Sequence, residues 1–254
     1  MSEKPHILRT PAVVLRSIDY GETSRIVTLF TQEKGRMSVM AKGARSGRSR
    51  FGSTLEPLSH MEAVIFCRSG RDLQMLTETS HIDVWRGLSG SLEKLETGYK
   101  VLEMTNALMH QEEANPVVYS LLVTALTALD ATDARAGNLW PWFQLRLAGL
   151  LGFGPAFDGD TVKQMETEYG MLDLSSGVIA AHGQVELQAG RRATRRALRA
   201  FAVLSRAALR DAMNMQMDPI TASEVTSLVA AYITWHVESA YPTRTARVFA
   251  QLAN

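Results

Sequence analysis

The residues of this chain best suited to chemistry are cations, and they fall in two clusters. Positions 41–50 read AKGARSGRSR, which spaces Lys42, Arg45, Arg48 and Arg50 among glycines, serines and alanines. Small residues let a backbone approach a sugar-phosphate chain closely, while guanidinium groups supply charge-assisted hydrogen bonds to phosphate oxygens. The segment is no nucleotide-binding phosphate loop, because G-x-x-x-x-G-K-[ST] occurs nowhere in the chain. A solvated loop that binds nothing is the bland alternative. Its setting between two strands of a small barrel favours binding.

The second cluster is arginine alone. Read as one helix near 191–215, the chain brings Arg192, Arg195, Arg196, Arg199, Arg206 and Arg210 within an arc of roughly 100°. Ala197, Phe201, Leu204 and Ala208 fall on the other side. Such a stripe suits a duplex backbone or an acidic peptide. The solvated face of an amphipathic helix is almost equally consistent with it, and the lack of neighbouring acids tips the reading toward a partner.

The overall balance, a formal net charge of +1, hides this arrangement. Residues 1–50 hold ten bases against four acids, residues 51–130 eleven acids against five bases, and residues 191–210 seven arginines with no acid. Two basic blocks separated by an acidic one point to a polyanionic partner with localised contacts. Aromatics in the β-rich segment, residues 9–80, are few: Tyr20, Phe30, Phe51 and Phe66. Phe30 and Phe66 sit inside apolar runs and read as core, so phosphate electrostatics should outweigh base stacking.

Catalytic readings are weak. The six histidines form no H-x-x-x-H or H-E-x-x-H pair. Asp158, Asp160 and Asp173 suggest turns before an ion site. Cys67, the only cysteine, lies in an apolar strand, where a thiol acts as a small hydrophobe. His236 reads as a packed or hydrogen-bonded histidine. No enzyme, cofactor or metal is expected.

The elements that must position these residues are legible from periodicity. Residues 9–80 contain five short apolar runs, Pro11–Arg16, Arg25–Thr31, Met37–Ala41, Met61–Cys67 and Leu73–Thr79, separated by turn chemistry. Met37, Val39 and Ala41 alternate with Ser38, Met40 and Lys42, as a half-buried strand requires. Five strands in about 70 residues suit a small closed barrel such as the OB-fold. From residue 88 the period becomes helical, with a stripe of Leu92, Leu95, Tyr99, Leu102 and Met109 expected to face a core. Asn115-Pro116 opens a second helix, and Asn138 with Pro141 a third that ends near Gly149–Gly154. Residues 155–190 read as a loop or hairpin insertion. Two helices near 191–215 and 221–239 follow, the latter capped by Thr221 with Glu224 three residues on. The class is α+β: a five-stranded barrel over residues 1–80, then a helical domain over 81–254. The start, MSEKPHILRT, carries no secretory signal pattern, and no run approaches a membrane span. A cytoplasmic protein is expected.

Residues 12–66, from AVVLRSIDYGE through TLFT, KGR and AKGAR followed by SR, closely resemble the N-terminal OB-fold of the RecO family. LLGFGP at 150–155, the arginine-rich helix and ITWHVESAYPTRTARVF at 233–249 resemble that family's helical domain, so the likeness covers nearly the whole chain. It implies a non-enzymatic, nucleoid-associated bacterial mediator that binds single- and double-stranded DNA and anneals complementary strands. With RecR, such a protein helps load RecA onto DNA coated by single-stranded-DNA-binding protein, whose acidic C-terminal tail it is expected to bind. The residues that fall on the family's basic surface are Arg16, Arg25, Arg36, Lys42, Arg45, Arg48 and Arg50. One departure stands out. Many members carry four cysteines in the insertion, forming a zinc module, whereas residues 155–185 contain none, and His182 alone cannot hold tetrahedral zinc. A metal-free insertion is expected. The rival reading is an adaptor whose helical domain docks partner proteins while the barrel is mainly structural.

Overall fold

The computed structural model describes residues 5–156, 165–181, 189–237 and 243–252. Five strands open the chain: β1 (His6–Tyr20), β2 (Ser24–Thr31), β3 (Gly35–Ala41), β4 (His60–Cys67) and β5 (Leu73–Asp83). They pair in the order β1-β2-β3-β5-β4 and close on themselves, since β4 also pairs with β1. All contacts are antiparallel except β3 with β5, which is parallel. Closure depends on the length of β1. Its first half pairs with β4 and its second half with β2, and an irregularity between Val14 and Arg16 bends the strand between these roles. The interior is filled by alternate residues, among them Val14, Val27, Leu29, Met37, Val39, Ile65 and Leu76. Each such fully buried side chain contributes on the order of 1.5–3 kcal/mol. Cys67 faces inward with them, and burial pushes its thiol pKa up.

The chain forms two compact units, one comprising residues 1–131 with 244–254, the other residues 132–243. The strand-rich segment ends near the expected position 80, but the first compact unit runs on through α1 (Leu92–Leu108) and α2 (Pro116–Ala131). A polar seam holds these helices to the barrel. Buried His60 meets Asp83 through Nδ1 at 2.9 Å and the Tyr119 hydroxyl through Nε2 at 3.0 Å, and it stacks on Trp85. The Trp85 indole donates to Thr127 at 3.2 Å. The buried face of α1 differs from the expected stripe. Thr97, Gly98, Val101, Leu102, Met104 and Thr105 point inward, whereas Leu92 is exposed and Leu95 and Tyr99 are half-buried. Leu102 and Met109 are buried as expected, and at Gly98 the packing is close, since a Cβ there would stand 3.0 Å from a Leu58 methyl. The last helix, α7 (Thr243–Leu252), returns to this unit, with the Thr245 amide donating to Glu103.

The second unit is built round α3 (Leu139–Leu150), whose side chains are buried on nearly every side, as a central helix demands. The insertion contributes β6 (Tyr169–Asp173) and β7 (Ile179–Ala181), which pair as a hairpin, and β8 (Gly190–Thr194) adds to the other edge of β6. Asp158, Asp160 and His182 lie outside the described residues.

The expected helix over 191–215 is three elements. Residues 190–194 are strand β8, followed by α4 (Arg195–Arg206) and a separate short α5 (Leu209–Asn214). The Thr194 hydroxyl accepts from the Ala197 amide and starts α4. At its end, the buried Trp142 indole donates to the Ala207 carbonyl, where the chain turns out of helical geometry. The cap of α6 (Pro219–His236) also differs from the expectation. Asp218, not Thr221, is the cap, accepting from the Thr221 amide at 2.9 Å and its hydroxyl at 2.7 Å. Glu224 instead binds the Thr194 amide and hydroxyl, joining α6 to the start of α4. His236 is packed as expected, between Phe153 and Tyr232.

Candidate nucleic-acid interface

Most of the first basic cluster gathers at one end of the barrel. Strand β3 ends at Ala41 opposite Arg25, so Lys42 leaves the sheet beside the β1–β2 turn. The loop then folds back on that turn: the Arg45 amide donates to the Thr23 carbonyl at 2.9 Å, and the Arg45 guanidinium pairs with Asp19 at 3.3 Å. Arg25 is engaged more fully, donating to Asp19 at 3.2 Å and Glu56 at 2.6 Å. It clasps two connections together. Arg50 lies over the Phe51 ring at 5.2 Å. No described residue hydrogen-bonds or ion-pairs with the side chains of Lys42 and Arg48, which are exposed. Their charge is available.

Two residues of the expected surface stand apart. Arg16 projects from β1 opposite Thr28, further along the sheet, and is exposed. Arg36 is the second residue of β3, six residues and roughly 20 Å of strand from Lys42. The segment between α1 and α2 covers it, with the Glu112 amide donating to the Arg36 carbonyl at 2.9 Å. Its Nε is buried without a partner among the described residues. The cover is tight, since a Cβ on Gly35 would meet the Glu113 carbonyl.

The outer wall of the barrel holds residues that periodicity did not single out. Outward positions line up across the strands by register: Ile18 opposite Ile26, Ile26 opposite Met40, Met40 opposite Met75, Met75 opposite Phe66, and Phe66 opposite Ile7. The result is an apolar band around the barrel. Phe66, expected in the core, is on this outer face and half-buried, with the Arg68 guanidinium 5.3 Å from its ring centre. Phe30 is fully buried, as expected. Met40, Phe66, Leu73 and Met75 floor a groove of about 720 Å³, with Lys42, Arg68 and Arg71 at its edge and Asp72 its one acid. The β4–β5 turn that carries Arg68 and Arg71 is held by buried Gln74, which bonds the Arg68 amide and the Arg68 and Arg71 carbonyls. A sequence signal existed for Met40 alone, which occupies the outward phase of β3, the strand whose inward phase Met37, Val39 and Ala41 set.

The second cluster is divided among elements. Arg195, Arg196, Arg199 and Arg206 lie on the exposed face of α4 with Val203 among them. Arg192 belongs to β8 and lies over the Tyr169 ring at 4.3 Å, and Arg210 belongs to α5. Arg195 also donates to the Met165 carbonyl. The continuous six-arginine stripe is therefore four arginines on one helix, because the helix stops at Arg206.

Among the described residues no group of three His, Cys, Asp or Glu side chains is placed to hold a metal, and no helix is long and apolar enough to cross a membrane. Family comparison covers both halves of the chain. The model "Recombination protein O N terminal" matches residues 1–85, and "Recombination protein O C terminal" matches residues 90–245. A DNA repair protein RecO from Salinibacter ruber is 44% identical over 247 residues, covering 97% of this chain and 94% of that protein. Another, from Chloroherpeton thalassium, is 28% identical over 256 residues, covering 97% and 99%. A third, from Chlorobium limicola, is 34% identical over 152 residues, about 60% of each chain. With matches running from the basic barrel through the helical unit, the chain belongs to the RecO family.

Proposed function

We propose that this protein is a non-enzymatic, DNA-binding recombination mediator acting in repair, with an OB-fold barrel as its main nucleic-acid-binding surface. The observation that carries the reading is the rim at one end of the barrel, where Arg25 and Arg45 hold the connections together and Lys42 and Arg48 keep their charge exposed. The strand order and the parallel β3–β5 pairing support the OB-fold assignment. Single and double strands share the phosphate backbone that such a rim recognises, which suits a protein that anneals complementary strands. RecR and RecA loading enter through the family's expected role. The acidic C-terminal tail of single-stranded-DNA-binding protein is matched to the α4 face, where exposed Val203 among arginines offers apolar as well as ionic contact.

A fluorescence-anisotropy salt titration with single- and double-stranded oligonucleotides tests the reading. Several contacted phosphates give a steep fall of log K with log salt, about −0.7 per phosphate for single strands. Salt-independent or absent binding would leave the adaptor reading, with a mainly structural barrel. A nucleotide-hydrolysis assay on the same protein is expected to show no turnover.

A further inference from the structure

An acid stands in the middle of the basic rim. The antiparallel register sets Asp19 opposite Arg25. Its Oδ1 accepts from the Arg25 Nε at 3.2 Å, and its Oδ2 stands 3.3 Å from the Arg45 Nε. The two arginines are not equally committed. Arg25 also donates to Glu56 at 2.6 Å and is the less exposed of the two. Arg45 has Asp19 as its one carboxylate among the described residues, with a long bond to the Gly21 carbonyl at 3.4 Å. The loop does not depend on this ion pair for its shape. The Arg45 amide donates to the Thr23 carbonyl at 2.9 Å, and the Ser46 hydroxyl to the Gly43 carbonyl at 2.8 Å. An exposed ion pair of this kind is weak and screened by salt, so an incoming anion can break it at small cost.

We propose that Asp19 is an exchangeable internal anion, which occupies Arg45 while the rim is empty and yields it to a backbone phosphate of the bound strand. This rests on the DNA-binding reading above and adds to it a carboxylate that sets the resting charge of the rim. The exchange leaves no group unpaired, because Asp19 keeps Arg25, and Arg25 keeps Glu56, when Arg45 turns outward. Phosphate is the stronger competitor, since it presents several oxygens to the guanidinium fork and is held as well by exposed Lys42 and Arg48. A lone small anion meets one contested arginine, whereas a polyanion engages the free cations first. The pair therefore selects ligands with several linked charges. An acidic peptide can bring a carboxylate to the same arginine. The uncharged residues of the loop, Gly43, Ala44, Ser46, Gly47 and Ser49, give its apolar side chains little to pack on and favour the close approach of a sugar-phosphate chain.

The test measures binding of a labelled oligothymidylate of about fifteen nucleotides to the full chain across a salt series. Asp19→Asn keeps a hydrogen-bonding side chain opposite Arg25 and removes the charge. It is expected to tighten binding about three- to fivefold at low salt, the weight of one exposed ion pair, with the gain fading as salt rises. Glu22→Gln removes an exposed acid of the same turn that makes no ion pair among the described residues, so its smaller gain reports general repulsion alone. In an Arg45→Ala background, Asp19→Asn should add no more than Glu22→Gln does, since the arginine it competed for is gone. Asp19→Asn binding no tighter than Glu22→Gln, or a gain that survives the loss of Arg45, would overturn the exchange while leaving DNA binding intact. Weaker binding by Asp19→Asn would overturn it equally, by making Asp19 a residue that holds the loop ready. A larger gain for polyglutamate of equal charge than for the oligonucleotide would make the exchanging ligand an acidic peptide and overturn the phosphate assignment. Failure of wild type to bind the strand would remove the DNA-binding reading itself.

Discussion

Gln74 bonds both backbone groups of Arg68, accepting from its amide at 2.8 Å and donating to its carbonyl at 3.1 Å. A third bond, to the Arg71 carbonyl at 2.7 Å, completes the hold on the β4–β5 turn. Gln74 is itself buried inside the barrel, so the interior sets the geometry of two cations on the exterior. Gln74→Leu would remove three hydrogen bonds from the turn backbone and is expected to cost about 1–3 kcal/mol. Denaturant titration should show a lower midpoint at unchanged slope.

The Arg45, Arg48, Arg50 loop should carry a countable share of phosphate contact. Replacing all three by alanine is expected to flatten the slope of log K against log salt by up to about 2 units for single strands. The Arg45 ion pair with Asp19 is exposed and adds little stability, so the triple variant should remain folded, as circular dichroism would show. An unchanged slope in that folded variant takes the loop off the binding surface.

On α4, Arg195→Glu, Arg199→Glu and Arg206→Glu together reverse the exposed face. Loss of only an acidic tail peptide would make the helix a docking site, and loss of only DNA would make it an extension of the binding track. Survival of both affinities at low salt would make it a solvated face.

Asp218 predicts a pH dependence. Hydrogen bonds from the Thr221 amide and hydroxyl hold its carboxyl below the ordinary value. The unfolded chain then binds the proton more readily, so the cap's contribution is present above about pH 3.9 and is lost as pH falls through the depressed folded value. Asp218→Ala should lower the melting temperature at neutral pH, and the deficit should shrink as acid is added. A deficit independent of pH would mean that the charge plays no part.

The single cysteine, Cys67, is committed to the barrel interior. Elemental analysis of purified protein is expected to give far less than one equivalent of zinc, with melting unchanged by a chelator. Stoichiometric zinc would show a site built from other donors.

Period-two alternation alone located β3, because Met37, Val39 and Ala41 had to share one face. The basic loop was equally legible, since charge and small residues are properties of composition. Which cations remain available was not: the ion pair of Arg25 with Glu56, and the cover over Arg36, come from segments distant in the chain. The apolar band belongs to register, a relation between strands that no single strand carries, and so Phe66 read as core until its neighbours were in place. The six-arginine stripe failed for a related reason. Helical periodicity persists through residues 206–210, but the Trp142 indole meets the Ala207 carbonyl where the helix ends. Local pattern determined the strands, the turns and the charge. Closure of the barrel and packing around α3 decided which side chains face solvent, because burial is set by what lies opposite a residue rather than by what lies beside it.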